Sequence, residues 1–159
     1  YDKIHLFDVS VSSSESYCES KHIAPGETPL ALSALGLMMG ITICYDMRFP
    51  ELYRRLAEAG AELFSVPSAF TVPTGQAHWH TLLRARAIEN LAWVIAPAQV
   101  GEHPNGRRTF GHSLIINPWG EIVAERAGGP GVIFACLDRA DAAQRRRQFP
   151  ALEHRVLKG

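Results

Sequence analysis

Cys44 is the residue in this sequence best placed to act as a nucleophile. It follows an apolar, β-branched run, residues 36–43, and precedes Pro50, which suits the first turn of a helix. A side chain at the end of a strand, on a tight turn before a helix, is held rigidly at the rim of a sheet. The helix N-terminus adds backbone donors and a positive potential that favour thiolate over thiol. The pattern therefore predicts a nucleophilic cysteine.

The alternative for Cys44 is a structural role, since free cysteines are among the most buried residues of proteins. The polar, sharply turning sequence that follows, residues 45–51, argues against it, because a cysteine in a core has no need of such neighbours. The other two cysteines keep the structural interpretation. Cys18 lies in a polar, loop-like stretch, and Cys136 lies inside the apolar run 132–137, where we expect it to be buried.

A cysteine nucleophile needs a base to take its proton and a donor for the oxyanion. The usual base is histidine, and the chain contains seven. His78 and His80 are two residues apart, which on a helix separates them by about 200°, so they cannot hold one metal ion together. The other histidines show no metal-ligand spacing, and the sequence predicts no metal site. A Cys–His pair stays open, and Lys and Glu are the other candidates for the catalytic groups.

The elements around Cys44 predict an α/β fold. A helix from Pro50 to about Gly60 and a strand at residues 62–66 follow the first strand closely, which is typical of a βαβ unit. A second helix is predicted at residues 76–90. Further strands are predicted at residues 91–99, 112–117, 121–125 and 132–137. The middle two of these form a hairpin, and Asp138 is predicted to cap a last helix.

Composition places the chain among ordinary globular proteins. Its 159 residues fit one domain, and 47% are hydrophobic and 20% charged. Sixteen basic and sixteen acidic residues cancel, so nothing indicates nucleic acid or an anionic membrane as a partner. No apolar run approaches the roughly 20 residues needed to cross a bilayer. Three cysteines at irregular spacing form no disulfide framework, so we expect a reducing, cytoplasmic setting.

Ordered motifs over nearly the whole chain resemble the carbon–nitrogen hydrolases of the nitrilase superfamily. The motifs are residues 1–8 (YDKIHLFD), 17–20 (YCES), 43–51 (ICYDMRFPE), 67–70 (PSAF), 78–79 (HW), 83–90 (LRARAIEN), 111–113 (GHS) and 117–120 (NPWG). So many motifs in one order are far more specific than a lone cysteine. The resemblance implies an α-β-β-α sandwich and a Glu-Lys-Cys triad that needs no metal or organic cofactor.

The resemblance also implies roles for individual residues. Cys44 matches the nucleophile and Lys3 matches the triad lysine. A second, assisting glutamate best matches Glu19, with Glu15 as the fallback. The backbone N–H of Tyr45, just after the nucleophile, is expected to help Lys3 stabilise the oxyanion. Such a site cleaves a small amide through a thioester on the cysteine and releases ammonia and an acid.

The general-base glutamate of the family lies upstream of the lysine, and nothing in this chain matches it. The chain opens at Tyr1, not at Met, directly in a strand-like run, residues 4–9. We therefore expect these residues to be the C-terminal part of one carbon–nitrogen hydrolase domain. A non-catalytic fragment or a nitrilase-like partner protein is the alternative outside the enzyme class. The resemblance further implies a homodimer or a higher homo-oligomer.

Three residues are expected to bind the substrate. Arg48, four residues after the nucleophile, can meet a carboxylate in bidentate fashion, although a solvent-facing arginine is an equal alternative. Phe70 and Thr74 fall in the pocket by resemblance. The motifs look most like the deaminated-glutathione amidase branch, with the ω-amidase branch close behind. A nitrilase and a carbamoyl-amine hydrolase are the alternatives that share the triad.

Overall fold

The computed structural model describes residues 1–11, 15–34 and 36–157. Its strands are β1 (Asp8–Ser10), β2 (Ser16–Cys18), β3 (Leu30–Ala34), β4 (Leu37–Ile41), β5 (Leu63–Ser65), β6 (Trp93–Ala96), β7 (Val100–Glu102), β8 (Arg108–Phe110), β9 (Ser113–Ile116) and β10 (Ile122–Arg126). Its α-helices are α1 (Pro50–Glu58), α2 (Val72–Thr74), α3 (His80–Asn90) and α4 (Arg139–Gln148). None of the helices in these ranges is long and apolar enough to cross a bilayer.

One six-stranded sheet organises the chain, in the order β10-β9-β6-β5-β4-β3. Its centre, β4, β5 and β6, is parallel, while β3, β9 and β10 add antiparallel strands at the flanks. Helix α1 connects β4 to β5, and α3 lies between β5 and β6. The predicted βαβ unit is therefore confirmed and is followed by a second one.

The central strands are buried on both faces, because successive side chains point to opposite sides of a sheet. On one face Phe64 and Val94 join a core with α1 and α3. On the other face Leu63 and Trp93 pack with Ala142 of α4. This burial explains why β5 and β6 read as continuous apolar runs in the sequence.

Several predicted elements are confirmed with shifted bounds. The hairpin appears as β9 and β10, and the Asp138 side chain caps α4 by accepting a hydrogen bond from the Asp141 N–H at 3.0 Å. The helix predicted at 76–90 instead begins as α2, passes through a π-helical turn at Gly75–Trp79 and continues as α3. The strand expected at 4–9 is confined to β1.

The strand predicted at residues 132–137 is wrong, since this stretch pairs with no strand among the described residues. Its side chains still alternate between partly buried and exposed positions. Ile133 and Leu137 pack against the core on the α4 side of the sheet, whereas Phe134 is 85% exposed. An apolar run can thus partly bury alternate side chains without hydrogen-bonding to a neighbouring strand. The same alternation turns Cys136 outward, so its expected burial is also wrong.

Candidate active site

Cys44 begins a 3-10 helix, Cys44–Arg48, shortly after β4 ends. Its φ of 49° lies in the left-handed region, which costs a residue with a side chain about 1–2 kcal/mol. Its N–H donates to the Pro67 carbonyl at 2.9 Å, in the segment that follows β5. The predicted tight turn is present, although the 3-10 helix separates Cys44 from α1. The half-buried thiol is thus held by a strained backbone that the segment after β5 supports.

Asp46 is the residue that holds this turn against the start of the chain, and sequence reasoning missed it. Its side chain is fully buried. One carboxylate oxygen accepts from the Tyr1 hydroxyl at 2.8 Å and from the Ile43 N–H at 2.9 Å. The other accepts from the backbone and ring nitrogens of His5 at 2.9 and 2.8 Å. The segment that carries Lys3 is therefore fixed beside the segment that carries the thiol.

Lys3 and Glu19 form an ion pair in which Lys3 Nζ donates to Glu19 Oε2. The same oxygen accepts from the Phe7 N–H at 2.7 Å. The Lys3 side chain is 9% exposed, so its charge is largely shielded from water. Glu15, the fallback, instead accepts from the Tyr17 hydroxyl at 2.5 Å. The geometry thus brings Glu19 to Lys3, and Glu15 lies apart.

A cavity of about 1010 Å³ opens where the chain leaves β4, β5 and β6. Ligands of α/β sheets bind at this position, beyond the carboxyl ends of the parallel strands. The sequence-predicted residues that line the cavity are Lys3, Glu19, Cys44, Tyr45, Phe70 and Thr74. Side chains from three stretches of the sequence therefore surround one space.

Side chains of the cavity wall pack against residues around them. Phe70 is 5% exposed and packs on Trp79, with ring centroids 4.9 Å apart. Thr74 Oγ1 shares a hydrogen bond of 2.8 Å with Thr71 Oγ1. The Tyr45 ring meets the Phe7 and Phe49 rings edge to face. These contacts form the cavity wall without any bound molecule.

Arg48 lies beside this cavity and is not part of its lining. Its guanidinium carbon is 5.7 Å from the centroid of the Tyr45 ring and 5.4 Å from that of Phe70. Its terminal nitrogens are 3.4 Å from His78 Nδ1, a long contact. Within the described ranges no carboxylate forms an ion pair with this guanidinium. Its N–H groups remain available to an anion.

Arg107 lines the cavity and was not singled out in the sequence. It donates to the Ala69 carbonyl, and its guanidinium carbon lies 5.1 Å from the Tyr17 ring centroid. Its Nε is buried without a hydrogen-bond partner among the residues described. No local motif marks it, because Arg107 and its neighbour Arg108 look alike in sequence. Only the fold places Arg107 at the cavity and leaves Arg108 exposed.

Histidine is the usual base for a cysteine nucleophile, and among the described residues His22 is the histidine that lines the cavity. It is exposed, directly after the 3-10 helix Glu19–Lys21. Within the described ranges it makes no hydrogen bond to Cys44. Lys3 and Glu19, by contrast, form a side-chain ion pair at the wall of the same cavity.

Comparison with known proteins matches residues 1–147 to the family described as carbon–nitrogen hydrolase. A deaminated glutathione amidase of Synechocystis is 48% identical over 158 residues, which are 98% of this chain and 58% of that protein. The human deaminated glutathione amidase is 46% identical over 158 residues, covering 98% of this chain and 48% of the human one. The chain therefore spans about half the length of these curated relatives.

Solved structures share the fold. The crystal structure of the C. elegans NitFhit protein superposes with a TM-score of 0.92 and 41% sequence identity. The alignment covers 98% of this chain and 38% of the NitFhit chain. The sheet and helices described above are thus those of an experimentally determined fold.

Proposed function

Because this chain belongs to the carbon–nitrogen hydrolase family, as its motifs predicted, we propose that it forms part of a thiol amidase. The proposed enzyme acts on small amides that carry a carboxylate. The observation that carries the proposal is the meeting of the Cys44 thiol with the Lys3–Glu19 ion pair in one cavity. A thiol alone is common, but a thiol beside a shielded, oriented ammonium group suits attack on a carbonyl.

In the proposed mechanism the Cys44 thiolate attacks the amide carbonyl carbon, and the carbonyl oxygen becomes an oxyanion. The Lys3 ammonium group and the Tyr45 N–H stabilise that charge, because N–H groups in a first helical turn have no intrahelical acceptor. Glu19 orients the lysine by accepting a hydrogen bond from its ammonium group. The protonated amine then leaves, and water releases the acid from the thioester.

A general base must deprotonate the thiol and later the water. Glu19 is the carboxylate that lines the cavity in the described part of the chain. It already accepts hydrogen bonds from Lys3 and from the Phe7 N–H. In this proposal the base is therefore the family's glutamate, supplied by sequence upstream of Tyr1. A chain that never meets this base would be a non-catalytic fragment.

The proposed substrate is deaminated glutathione or the ω-amide of an α-keto acid. The names of the two curated relatives support the first. A primary amide releases ammonia, whereas deaminated glutathione is a secondary amide and releases a peptide amine. α-Ketoglutaramate, the ω-amide chosen for the tests below, and deaminated glutathione give the same α-keto diacid, which is the product to measure. A nitrilase and a carbamoyl-amine hydrolase share the chemistry and are the alternatives.

Replacing Arg48 with Leu should raise KM for an acidic amide by about 10- to 100-fold, because hydrogen bonds to a charged group contribute about 1.5–3 kcal/mol. For an aliphatic amide of similar length without a carboxylate, KM should change little. The measurement is steady-state kinetics of the intact enzyme on both substrates. Arg55→Leu, at an exposed position on α1, is the matched control. Equal effects on both substrates would refute the carboxylate role.

Replacing Arg107 with Leu should affect the longer substrate most. Deaminated glutathione carries a second carboxylate on its peptide part, and Arg107 offers a guanidinium at the cavity wall. We expect KM to rise about tenfold for deaminated glutathione and to change little for α-ketoglutaramate. Arg108→Leu removes the exposed neighbouring charge and should leave both constants unchanged. A uniform loss on both substrates would contradict selective recognition.

The same proposal includes a homodimer in a reducing, cytoplasmic setting. Phe134 and Val156 are large apolar side chains in the last third of the chain, and their exposure of 85% and 90% supports burial against a partner. All three cysteines are free, which suits a reducing compartment. Light scattering gives the mass of the assembly, and a monomer at micromolar concentration would contradict the dimer.

A further inference from the structure

Three side chains from separate elements converge outside the cavity. His80 opens α3, His112 lies between β8 and β9, and Glu125 belongs to β10. Glu125 Oε1 lies 2.8 Å from His80 Nε2 and 2.6 Å from His112 Nδ1. One ligand-type atom from each residue lies within 4.8 Å of the other two. The spacing of these residues in the sequence hides the cluster, because the fold alone brings them together.

The backbone that carries His112 is fixed on two sides. Its φ is 58°, and its N–H donates to the Ala127 carbonyl at 3.1 Å. Its own carbonyl accepts from the Trp79 indole nitrogen at 2.8 Å. The preceding residue, Gly111, has a φ of 76°, and a Cβ there would lie 2.6 Å from the Ala127 carbonyl oxygen. The tight turn therefore requires glycine and presents His112 in one orientation.

The two imidazole rings are also oriented by packing. The His112 ring stacks on Phe110, with centroids 4.2 Å apart and planes 20° apart. The His80 ring meets the His112 ring edge to face at 5.1 Å. The ring nitrogens that face Glu125 are thus held before any ligand arrives. Such preorganisation lowers the entropic cost of binding.

The donor set has a definite chemistry. Two imidazole nitrogens and one carboxylate oxygen are the donor set of zinc sites that have three protein ligands and one open position. Zinc bonds of about 2.0–2.1 Å in a tetrahedron would set the ligand atoms about 3.3 Å apart. The two contacts of Glu125 Oε1, at 2.8 and 2.6 Å, are shorter than this, so the side chains must move apart to admit the ion. The side chains are 33%, 27% and 31% exposed, so an ion and a water molecule have access.

We propose that His80, His112 and Glu125 form a binding site for Zn²⁺, with water as the fourth ligand. None of the three lines the candidate active-site cavity, so the ion takes no part in amide cleavage. It joins the start of α3 to the β9–β10 hairpin. The neighbour of His112, Ser113, does line the cavity, and its hydroxyl accepts from the Ala98 N–H at 2.9 Å. The site thus lies directly behind one wall of the cavity.

The test must separate this site from the thiols, which also bind zinc. The full chain, with reduced cysteines, is titrated with Co²⁺ near neutral pH and followed by absorption spectroscopy. We expect one equivalent to bind with visible d–d bands and without the near-ultraviolet charge-transfer band of a thiolate ligand, and Zn²⁺ to displace it. Glu125→Gln and His80→Gln should each weaken binding by at least about tenfold. The control, His154→Gln, changes an exposed histidine outside the cluster and should bind as the parent does.

Three results would overturn the proposal: no Co²⁺ or Zn²⁺ bound at millimolar concentration, a thiolate spectrum for the bound ion, or unchanged affinity in the cluster variants. A second measurement needs no variant and covers the case in which a substitution unfolds the chain. Crystals of the parent protein soaked with Zn²⁺ should show anomalous density among the three side chains. Zinc located only elsewhere would refute the site.

Discussion

Replacing Cys44 with Ala should abolish amide hydrolysis by the intact enzyme, with kcat falling about 10⁴-fold or more. The reason is that the thiolate forms the covalent bond on which both halves of the proposed reaction depend. Lys3 and the Tyr45 N–H would still polarise the carbonyl, but no group at position 44 could attack it. The measurement is release of the α-keto diacid from deaminated glutathione and α-ketoglutaramate. Intact-mass analysis of the parent enzyme should also reveal the thioester intermediate.

Cys136→Ala is the matched control, since it removes an exposed thiol outside the cavity and should leave the rate unchanged. Retention of activity by Cys44→Ala within about tenfold of the parent would refute the nucleophile assignment. If the parent protein, with its upstream sequence present, hydrolyses none of the amides, the result would instead favour the non-catalytic alternative.

Replacing Asp46 with Asn should destabilise the protein by about 3–5 kcal/mol, because it breaks a buried charged network at one partner. The carboxylate accepts four hydrogen bonds, from Tyr1, Ile43 and His5. An amide has one oxygen, so its NH₂ group would face donors at the other end. Urea unfolding measures the loss. Activity should fall as well, because the segment with Lys3 is no longer fixed beside Cys44.

Asp141→Asn is the control for this experiment. Asp141 pairs with Arg145 one turn along α4 and is partly exposed, so its loss should cost only about 0.3–0.5 kcal/mol. If Asp46→Asn were as mild as this control and fully active, the network would not position the site. Tyr1→Phe, which removes one of the four donors, should give an intermediate loss of stability.

The sequence by itself determined those features whose physical cause is local. An apolar β-branched run followed by Pro50 predicts a strand, a turn and a helix, and β4, the turn at Cys44 and α1 follow that order. The hairpin and the Asp138 cap are set within a few residues of chain. Ordered motifs identified the family and pointed to Lys3 and Cys44 together, which no periodicity could do.

Only the tertiary structure decided which distant groups meet. Asp46 receives hydrogen bonds from residues 41 and 45 positions away, and no spacing rule encodes such a partner. Arg107 and Arg108 are alike in sequence, yet only Arg107 lines the cavity. The apolar run 132–137 packs without pairing with a strand among the described residues. Glu125 contacts two histidines that come from other parts of the chain. Local propensity sets backbone shape, whereas ion pairs, burial and ligand geometry depend on packing between elements far apart in the chain.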